Sequence, residues 1–421
     1  MIALADANNF YVSCERAFEP RLEGQPVAVL SNNDGCVISR SPECKALGIE
    51  MGTPYFKLKK SGLVFRSSNY ELYADLSGRI AAVLGTFTPD VERYSIDEAF
   101  LHFGDKEPAG GWESLGKAIR ERVLRWTGIP CGVGLAPTRT LAKIANHIAK
   151  KREDGVYTMP ADPRGVLERL PVEEVWGVGR RLSGRLQRSG VSTAWALAQC
   201  SREFFRRGRF AVTLERTALE LRGIPATEPE PLERENPQSV NVSRMFGKPV
   251  TDAQGLGEAV SAYATAAAEK IRKAGMVASV ADVYVQECAR PGTGGWNDSD
   301  WWTPFLTVTV SFPSPTSATS EILSAVRPVA EGLFLEGKRY RRAGVLLSGL
   351  ERAEAAADLF RGAPLSRPAA RLSATVDAIN ARFGRGTLFY AAEGTAKEWR
   401  MKWEMLSGRP TTRWGELLVA R

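Results

Sequence analysis

Short apolar runs alternate with amphipathic stretches over the first 160 residues of the chain. The uninterrupted apolar runs predict buried strands at 2–5, 26–30, 35–39 and 131–136. Apolar residues at helical spacing predict helices over 71–87, 114–127 and about 138–151. Residues 91–103 are strand-like on both sides of a Ser-Ile-Asp-Glu segment, which indicates a hairpin with carboxylates at its bend. The mixture predicts an α+β core with helices on one face of a sheet.

The pattern changes after residue 160. Residues 161–224 show only helical spacing, whereas residues 225–238 contain four prolines and no apolar pattern and are interpreted as a linker. Residues 239–350 predict a βαββαβ unit with elements at 239–246, 253–274, 278–287, 304–312, 317–332 and 341–349. The C-terminal residues 351–421 begin with an Ala-rich segment, and a helix is predicted near 368–382.

The composition is that of an ordinary globular protein. The chain has 421 residues, 44% hydrophobic and 25% charged, which is enough for several domains. It contains no run of about 20 apolar residues, and Asp6 follows the first residues too closely for a secretory signal. Six scattered cysteines without a CxxC pair, and two histidines, disfavour a zinc site and a disulfide framework. We therefore expect reduced thiols in a cytoplasmic protein that does not enter a membrane.

Positive charge is concentrated in one helical region. The net charge of the whole chain is +8, and residues 176–224 alone, with ten Arg, no Lys and three Glu, carry +7. Such a concentration favours a polyanion as the partner, and a solvated basic face is the ordinary alternative.

Three carboxylates stand at the ends of apolar strands. Asp6 ends the first buried strand, and Asp97 and Glu98 occupy the bend of the predicted hairpin. Each acid taken alone is more commonly a solvated turn residue. Together they are costly to bury unless cations neutralise them, and two divalent ions about 3.5–4 Å apart would do so and would serve in-line phosphoryl transfer. Mg²⁺ suits such an all-oxygen set of ligands.

The motifs around these acids resemble a known family. Residues 6–11 (DANNFY) and 94–100 (YSIDEAF) resemble the two metal-binding motifs of the Y-family, lesion-bypass DNA polymerases. Residues 31–40 (SNNDGCVISR) are similar to the UmuC branch of that family, which contains the catalytic subunit of DNA polymerase V and its plasmid-borne relatives. In the C-terminal part, 377–380 (DAIN) and 411–414 (TTRW) also resemble UmuC.

This resemblance implies an α+β multidomain, right-hand polymerase. The implied domains are a palm (1–10 and 72–160), fingers (11–71), a helical thumb with a helix-hairpin-helix (161–224), a linker (225–238), a βαββαβ little finger (239–350) and a C-terminal accessory or partner-binding tail (351–421). The little finger would leave one sheet face free to lie in a DNA groove.

The resemblance also implies a metal site. The implied ligands are Asp6, Asp97, Glu98 and the carbonyl of Ala7, and the implied cofactor is a pair of Mg²⁺ ions. One ion would lower the pKa of the primer 3′-hydroxyl, and the other would grip the triphosphate and offset charge on the leaving pyrophosphate. Charge neutralisation and alignment should dominate, because phosphoryl transfer needs little covalent help from the protein.

A nucleotide pocket is implied as well, with contacts from Phe10, Tyr11, Ile38, Ser39, Arg40, Lys45 and Lys150. In the family the position of Tyr11 is a steric gate against a 2′-hydroxyl, while a core aromatic is the ordinary interpretation. Lys45 stands where other branches have Arg, so a point charge replaces a bidentate fork, and Arg40 is a candidate to compensate for it.

The helix predicted after Pro137 carries Lys143 and Lys150 in line on the face opposite its apolar residues. Facing away from the core, these two cations would suit a phosphate chain, and a solvated basic face is the alternative. The family places a triphosphate-binding lysine at the position of Lys150.

A DNA contact is predicted at Gly177-Val178-Gly179, which resembles a helix-hairpin-helix loop and is followed by Arg180 and Arg181. Glycines let a backbone approach a phosphate, and the start of the next helix supplies N–H donors. A plain turn is the ordinary interpretation of such a tripeptide. Phosphate contacts carry no sequence information, which fits an enzyme that works at any site.

The resemblance implies that the C-terminal tail contains the segments that bind protein partners. Leu359 and Phe360 stand where UmuC-type chains have a sliding-clamp peptide, but the leading glutamine is missing, and a local packing anchor is the alternative. By resemblance, the segment with Trp399, Trp403 and Trp414 would dock a UmuD′-type dimer or RecA.

Together these features predict a template-directed DNA polymerase that acts on primer-template DNA and dNTP, and the resemblance adds lesion bypass in DNA repair and SOS mutagenesis. Two alternatives stay open. Another two-metal enzyme on a similar palm, such as a nucleotide cyclase, would not need the basic helical region or the second α+β unit. A non-catalytic DNA-binding subunit is the other alternative, and the intact acids argue against it.

Overall fold

The computed structural model describes residues 1–59, 62–104, 106–227, 237–288, 303–353 and 367–417. These residues form two compact units. The first contains the described residues within Met1–Ser31, Gly35–Leu232 and Met405–Arg421, and the second contains those within Asn32–Asp34 and Glu233–Glu404. The described part of the predicted C-terminal tail is therefore shared between the two units.

Strands and helices alternate through the first unit. Its described strands are β1 (Ile2–Ala7), β2 (Val27–Leu30), β3 (Val37–Arg40), β4 (Val64–Ser67), β5 (Val91–Arg93), β6 (Glu98–His102), β7 (Cys131–Ala136) and β8 (Val156–Thr158). Its described helices are α1 (Phe10–Phe18), α2 (Pro42–Ala46), α3 (Tyr55–Leu58), α4 (Tyr70–Leu84), α5 (Gly111–Thr127), α6 (Arg139–Ala149), α7 (Arg164–Leu167), α8 (Arg180–Arg188), α9 (Ala194–Ala198), α10 (Arg202–Arg207) and α11 (Val212–Leu221). The strands and helices predicted in the first 160 residues are confirmed to within a few residues at each end.

The central sheet has the strand order β5-β6-β1-β7-β8, and β1 pairs antiparallel with both β6 and β7. Helices pack on both of its faces, so the predicted single helical face is wrong. Ala3 and Ala5 of β1 join a cluster with α4 and α5, while Leu4 faces the other way into a cluster with α6 and the later helices. The reason is that β1 and β7 are buried at almost every position, as in a sheet covered on both sides.

A smaller sheet with the order β3-β2-β4 lies in the segment predicted as the fingers. Strand β2 pairs antiparallel with β3 and parallel with β4. Five helices, α7 to α11, follow the central sheet, which confirms the helical prediction for 161–224. Their apolar residues, such as Leu186 and Leu214, share a cluster with α6.

The second unit contains β9 (Ser239–Val250), α12 (Ala253–Lys273), β10 (Met276–Glu287), β11 (Phe305–Thr316), α13 (Thr319–Gly332), β12 (Tyr340–Arg352) and α14 (Arg367–Phe383). This order confirms the predicted βαββαβ unit and the helix predicted near 368–382. The antiparallel sheet has the order β11-β10-β12-β9, and its alternate residues pack against α12 and α13. No helix in the described ranges combines the length and apolarity needed to cross a membrane.

Candidate active site

Two of the predicted acids meet on neighbouring strands of the central sheet. In the antiparallel pair of β1 and β6, Asp6 lies directly opposite Glu98. The adjacent backbone is joined as well, because the amide of Ala7 donates a hydrogen bond of 2.8 Å to the carbonyl of Asp97. Strand pairing therefore brings the first motif, at the end of β1, next to the second motif, at the start of β6.

The bend before β6 is shaped by Ser95. Its hydroxyl accepts hydrogen bonds from the amides of Asp97 (3.2 Å) and Glu98 (3.0 Å) and donates one to the Asp97 carboxylate. Such local side-chain bonds stabilise a turn in place of sheet pairing. The turn presents two consecutive acids at the end of the strand.

Helix α6 supplies the cations for this pair of acids. Lys143 Nζ lies 2.7 Å from Glu98 Oε2, and Lys150 Nζ lies 2.7 Å from Asp6 Oδ2. The prediction that both lysines face away from the core is therefore wrong for Lys143, whereas Lys150 is exposed although it is bound to Asp6. The two lysines lie two helical turns apart, and α6 packs on β1 and β7 of the central sheet.

Lys143 is the more enclosed of the two lysines. Its side chain is 16% exposed, against 38% for Lys150, and its Nζ lies 4.3 Å from the ring centre of Tyr94 and 5.1 Å from that of Trp176. Aromatic faces attract a cation, and the attraction strengthens when water is excluded. The sequence indicates only the helical position of Lys143 and not these contacts, because neither Tyr94 nor Trp176 is near it along the chain.

The Lys150 side chain reaches Asp6 over a glycine. Gly132 of β7 is the strand partner of Asp6, and a Cβ at Gly132 would lie 3.1 Å from Lys150 Cγ. Burial raises the pKa of Asp6 to about 7, with Lys150 lowering it and the neighbouring Glu98 raising it. The carboxylate is therefore short of positive charge even with a lysine beside it.

The chemistry of these donors fits a divalent cation, although the side chains are not arranged around one. Within the described ranges, no group of three or more His, Cys, Asp or Glu side chains could hold a metal ion as it stands. The Asp97 carboxylate accepts a hydrogen bond from Ser95, and Asp6 and Glu98 form salt bridges with Lys150 and Lys143. Carboxylates and a backbone carbonyl are nevertheless the oxygen ligands that Mg²⁺ prefers, and the buried Asp6 beside the half-buried Glu98 requires added positive charge.

The aromatic pair after β1 is divided between core and surface. Asn9 has a φ of 47°, and this left-handed turn takes the chain from β1 into α1. Phe10 is buried in the core, as the ordinary interpretation expects, whereas Tyr11 is half-buried. Tyr11 stacks on Tyr73 of α4, with ring centres 4.4 Å apart and planes 14° apart. Tyr73 does not stand out in the sequence as a site residue, because its spacing in α4 is that of a core residue.

Basic residues of the segment predicted as the fingers lie near Lys150. Burial lowers the pKa of Lys45, and the charges of Arg40 and Lys150 lower it further, so both of these cations lie within electrostatic reach of Lys45. Arg40 also donates a hydrogen bond to the carbonyl of Ile49. Ser39 is buried and joins β3 to α1, because its hydroxyl donates to the Asn9 carbonyl at 3.3 Å.

The glycine loop before α8 has the geometry of a tight backbone turn. Gly177 has a φ of +84°, which favours glycine, and Gly179 precedes the first helical residue. Val178 is buried and anchors the loop, whereas Arg180 and Arg181 are exposed. The element before the loop is a single 3₁₀ turn at Val172–Glu174, so the expected first helix of the hairpin is only one turn long.

In the tail, Leu359 and Phe360 lie outside the described residues. Of the three tail tryptophans, Trp399 is buried and Trp403 is exposed, and Trp414 is the most exposed at 89%.

The chain is similar to known proteins over most of its length. Residues 5–147 match the model of the impB/mucB/samB family, residues 237–359 match the C-terminal domain of the same family, and residues 370–420 match a domain of unknown function. Protein UmuC of Salmonella typhimurium is 42% identical over 99% of this chain and 99% of its own length. DNA polymerase IV 2 of Bacillus subtilis is 28% identical over 94% of this chain and 95% of its own length.

Among solved structures, a Y-family DNA polymerase chimera matches with a TM-score of 0.64 and 21% identity. The match covers 83% of this chain and 99% of the chimera. This likeness confirms the expected fold class. The identity to UmuC over essentially the whole of both chains shows that this chain belongs to the impB/mucB/samB family, the family of UmuC.

Proposed function

We propose that this chain is a template-directed DNA polymerase of the lesion-bypass type, which joins a deoxynucleotide to a primer 3′-hydroxyl. The observation that carries the proposal is the pairing of Asp6 and Glu98 on adjacent strands, with Lys150 and Lys143 above them. Acids and cations at one sheet edge suit a reaction in which charge neutralisation does most of the work. Family membership over the whole chain favours this activity over a nucleotide cyclase or a non-catalytic subunit.

The metal ligands in this proposal are Asp6, Asp97, Glu98 and the Ala7 carbonyl. Two bound Mg²⁺ ions would lower the pKa of the primer hydroxyl and offset charge on the leaving pyrophosphate. The chain itself contributes the buried Asp6 and the turn at Ser95 that holds the half-buried Asp97 and Glu98 side by side.

Lys150, Lys45 and Arg40 would bind the triphosphate. Arg40 and Lys150 both lie within electrostatic reach of Lys45, and Lys150 is bound to Asp6, so these cations suit a chain of phosphates beside the acids. Ser39 and Ile38 belong to the same strand, β3, and would border the nucleotide.

Tyr11 would exclude ribonucleotides. Its half-buried ring follows the acid-bearing strand by a few residues and is held against Tyr73, so its position is restricted. A sugar with a 2′-hydroxyl would clash with a ring held there. Phe10, buried behind it, supports the start of α1.

The glycine loop and α8 would bind the DNA backbone through the amides of Gly177, Val178 and Gly179 and the side chains of Arg180 and Arg181. Phosphate binding of this kind weakens steeply as the salt concentration rises. The proposal extends to a cytoplasmic site of action, and to docking of a sliding clamp through Leu359 and Phe360 and of a UmuD′-type dimer and RecA through the tail.

The test is primer extension with Mg²⁺ across an abasic template. The double variant Asp97→Asn/Glu98→Gln should lose at least about 10³-fold in rate, because each substitution removes one of the charges that the reaction uses. Asp75→Asn is the matched control, since that acid is paired with Arg79 on the outer side of α4 and should leave the rate unchanged. Equal extension by the double variant and the wild type would contradict the proposal, and a cyclic nucleotide product would favour the cyclase instead.

A further inference from the structure

The last described residues of the chain pack on the elements that hold Tyr11. We call residues 405–417 the C-terminal strap; they belong to the first unit, together with α1, α4 and β4. The strap begins at the edge of β4, where the amide of Ser67 donates to the Met405 carbonyl (3.0 Å) and the Met405 amide donates to Ser67 Oγ (3.0 Å). The Met405 side chain packs against the core of the small sheet.

Asn69, at the start of α4, binds the next residues of the strap. Its side-chain amide lies 2.9 Å from Ser407 Oγ and 3.0 Å from the Gly408 carbonyl. The same side chain caps α4 through the amide of Leu72, and it is 1% exposed. A buried asparagine thus joins the strap to the first turn of the helix that carries Tyr73.

The strap then reaches a buried acid of α1. Ser407 Oγ donates a hydrogen bond of 3.1 Å to Glu15 Oε1, and the hydroxyl of Tyr73 donates one of 2.6 Å to the same oxygen. Glu15 is 1% exposed. Burial raises the pKa of Glu15, and the Tyr73 and Ser407 hydrogen bonds oppose that rise, as does the charge of Arg66. A buried carboxylate needs such donors, because an unpaired one is costly.

These contacts form one continuous series from the strap to the nucleotide gate. Ser407 binds Glu15, Glu15 binds the Tyr73 hydroxyl, and the Tyr73 ring stacks on Tyr11. Glu15 and Tyr11 are also one helical turn apart on α1, so the acid and the gate lie on the same side of that helix.

The rest of the strap is attached at the surface. Arg409 closes it as a loop through a salt bridge of 2.8 Å to Glu416. Thr412 Oγ1 lies 3.3 Å from the carboxylate of the exposed residue Glu71. These surface contacts hold the strap without reaching Glu15, and they provide a matched control.

We propose that the C-terminal strap is a positioning element for the nucleotide gate: Ser407 fixes Glu15, Glu15 fixes Tyr73, and Tyr73 fixes the ring of Tyr11. The inference rests on the proposed role of Tyr11 as the gate. In this proposal, the last residues of the segment that matches the domain of unknown function contribute to discrimination between ribonucleotides and deoxynucleotides. A strap that merely stabilised the fold would leave discrimination unchanged.

The test measures the ratio of kcat/KM for a ribonucleotide to that for the matching deoxynucleotide in Mg²⁺-dependent primer extension. Ser407→Ala and Tyr73→Phe should each raise this ratio about fivefold, because a loosened ring obstructs the 2′-hydroxyl less. Thr412→Val should leave the ratio unchanged. A ratio is independent of the fraction of active enzyme, so partial unfolding does not imitate the effect.

A double-variant cycle with Tyr11→Ala separates this inference from the proposal beneath it. If Tyr11→Ala alone leaves the ratio unchanged, Tyr11 is not the gate, and the proposed role itself is wrong. If Tyr11→Ala raises the ratio but Ser407→Ala does not, the strap inference is overturned. If both raise it, Ser407→Ala should add nothing in the Tyr11→Ala background, because its effect passes through that ring.

A second measurement does not need activity. Backbone hydrogen exchange of peptides covering 10–18 and 69–76 should accelerate severalfold in Ser407→Ala relative to wild type, because α1 and α4 lose a shared buried contact. Thr412→Val should leave both peptides unchanged. Equal exchange in Ser407→Ala and wild type, or equal acceleration in the two variants, would overturn the inference.

Discussion

Helices α6 and α8 each carry a pair of basic residues on an amphipathic helix, yet the two pairs meet different surroundings. Lys143 of α6 and Lys150 at its C-cap are bound to two carboxylates of the central sheet, the half-buried Glu98 and the buried Asp6. Arg180 and Arg181 of α8 are exposed beside a glycine loop. In α6 the charges compensate acids inside the protein, and in α8 they are free to meet an anion from outside.

The role of a basic helix face therefore depends on the surface that lies opposite it in the folded protein. Periodicity places Lys143 away from the apolar side of α6, which ordinarily predicts solvent. The sheet edge, however, presents Glu98 at that level, and the rings of Tyr94 and Trp176 cover the lysine. Substituting exposed basic residues should therefore affect only the binding of an anionic ligand. Substituting basic residues that are paired with acids should also lower the free energy of unfolding.

The largest expected effect is at Lys150. Lys150→Ala should lower kcat/KM for dNTP about 100-fold, because a charge-assisted contact to the triphosphate is worth roughly 2–3 kcal/mol. Steady-state primer extension at saturating Mg²⁺ measures it. Lys151→Ala, one residue further on and exposed, is the control and should retain full activity. Equal losses in kcat/KM in the two variants would contradict a specific contact between Lys150 and the triphosphate.

The next effect concerns stability at Lys143. Lys143→Met should lower the free energy of unfolding by roughly 1–3 kcal/mol in EDTA, because Glu98 and Asp6 lose a compensating cation in a partly buried site. Millimolar Mg²⁺ should recover much of that loss, because a cation that binds only the folded acids stabilises them. Urea unfolding with and without Mg²⁺ measures both quantities. A loss that Mg²⁺ does not reduce would count against a divalent site at these acids.

The smallest effect is expected in the exposed pair. Arg180→Ala/Arg181→Ala should leave the free energy of unfolding within about 0.5 kcal/mol of the wild-type value. Affinity for primer-template DNA should fall at low salt, and the slope of log K against log salt should decrease in magnitude by about 1–2. Fluorescence anisotropy at several salt concentrations measures this slope, with Arg79→Ala as the control on a distant, paired side chain. An unchanged slope would remove α8 from the proposed DNA contact.

Much of the fold could be predicted because its elements are locally encoded. The second unit is the clearest case: two-residue periodicity in its strands and helical spacing over 253–274 and 317–332 predict the observed βαββαβ order. The short elements that packing stabilises, such as β4, were not predicted. The single helical face of the central sheet was also wrongly predicted, because a continuous apolar run such as β1 does not say how many of its faces are covered.

The site was predictable where it follows the strand ends and not where it depends on distant side chains. The meeting of Asp6 and Glu98 could be predicted, because an acid at the end of a buried strand is costly unless a cation neutralises it. Nothing near Tyr73 in sequence indicates that it stacks on Tyr11, and nothing near Ser407 indicates Glu15, which lies 392 residues away along the chain.

The sequence by itself determined the order of the longer elements, the two acid motifs and the concentration of arginine before residue 224, because each depends on neighbours within a few residues. Only the tertiary structure decided that Lys143 and Lys150 bind acids, that Tyr73 holds Tyr11, and that the C-terminal strap reaches Glu15. Those contacts join residues far apart in the chain, and their geometry exists only after the sheet and its covering helices have packed.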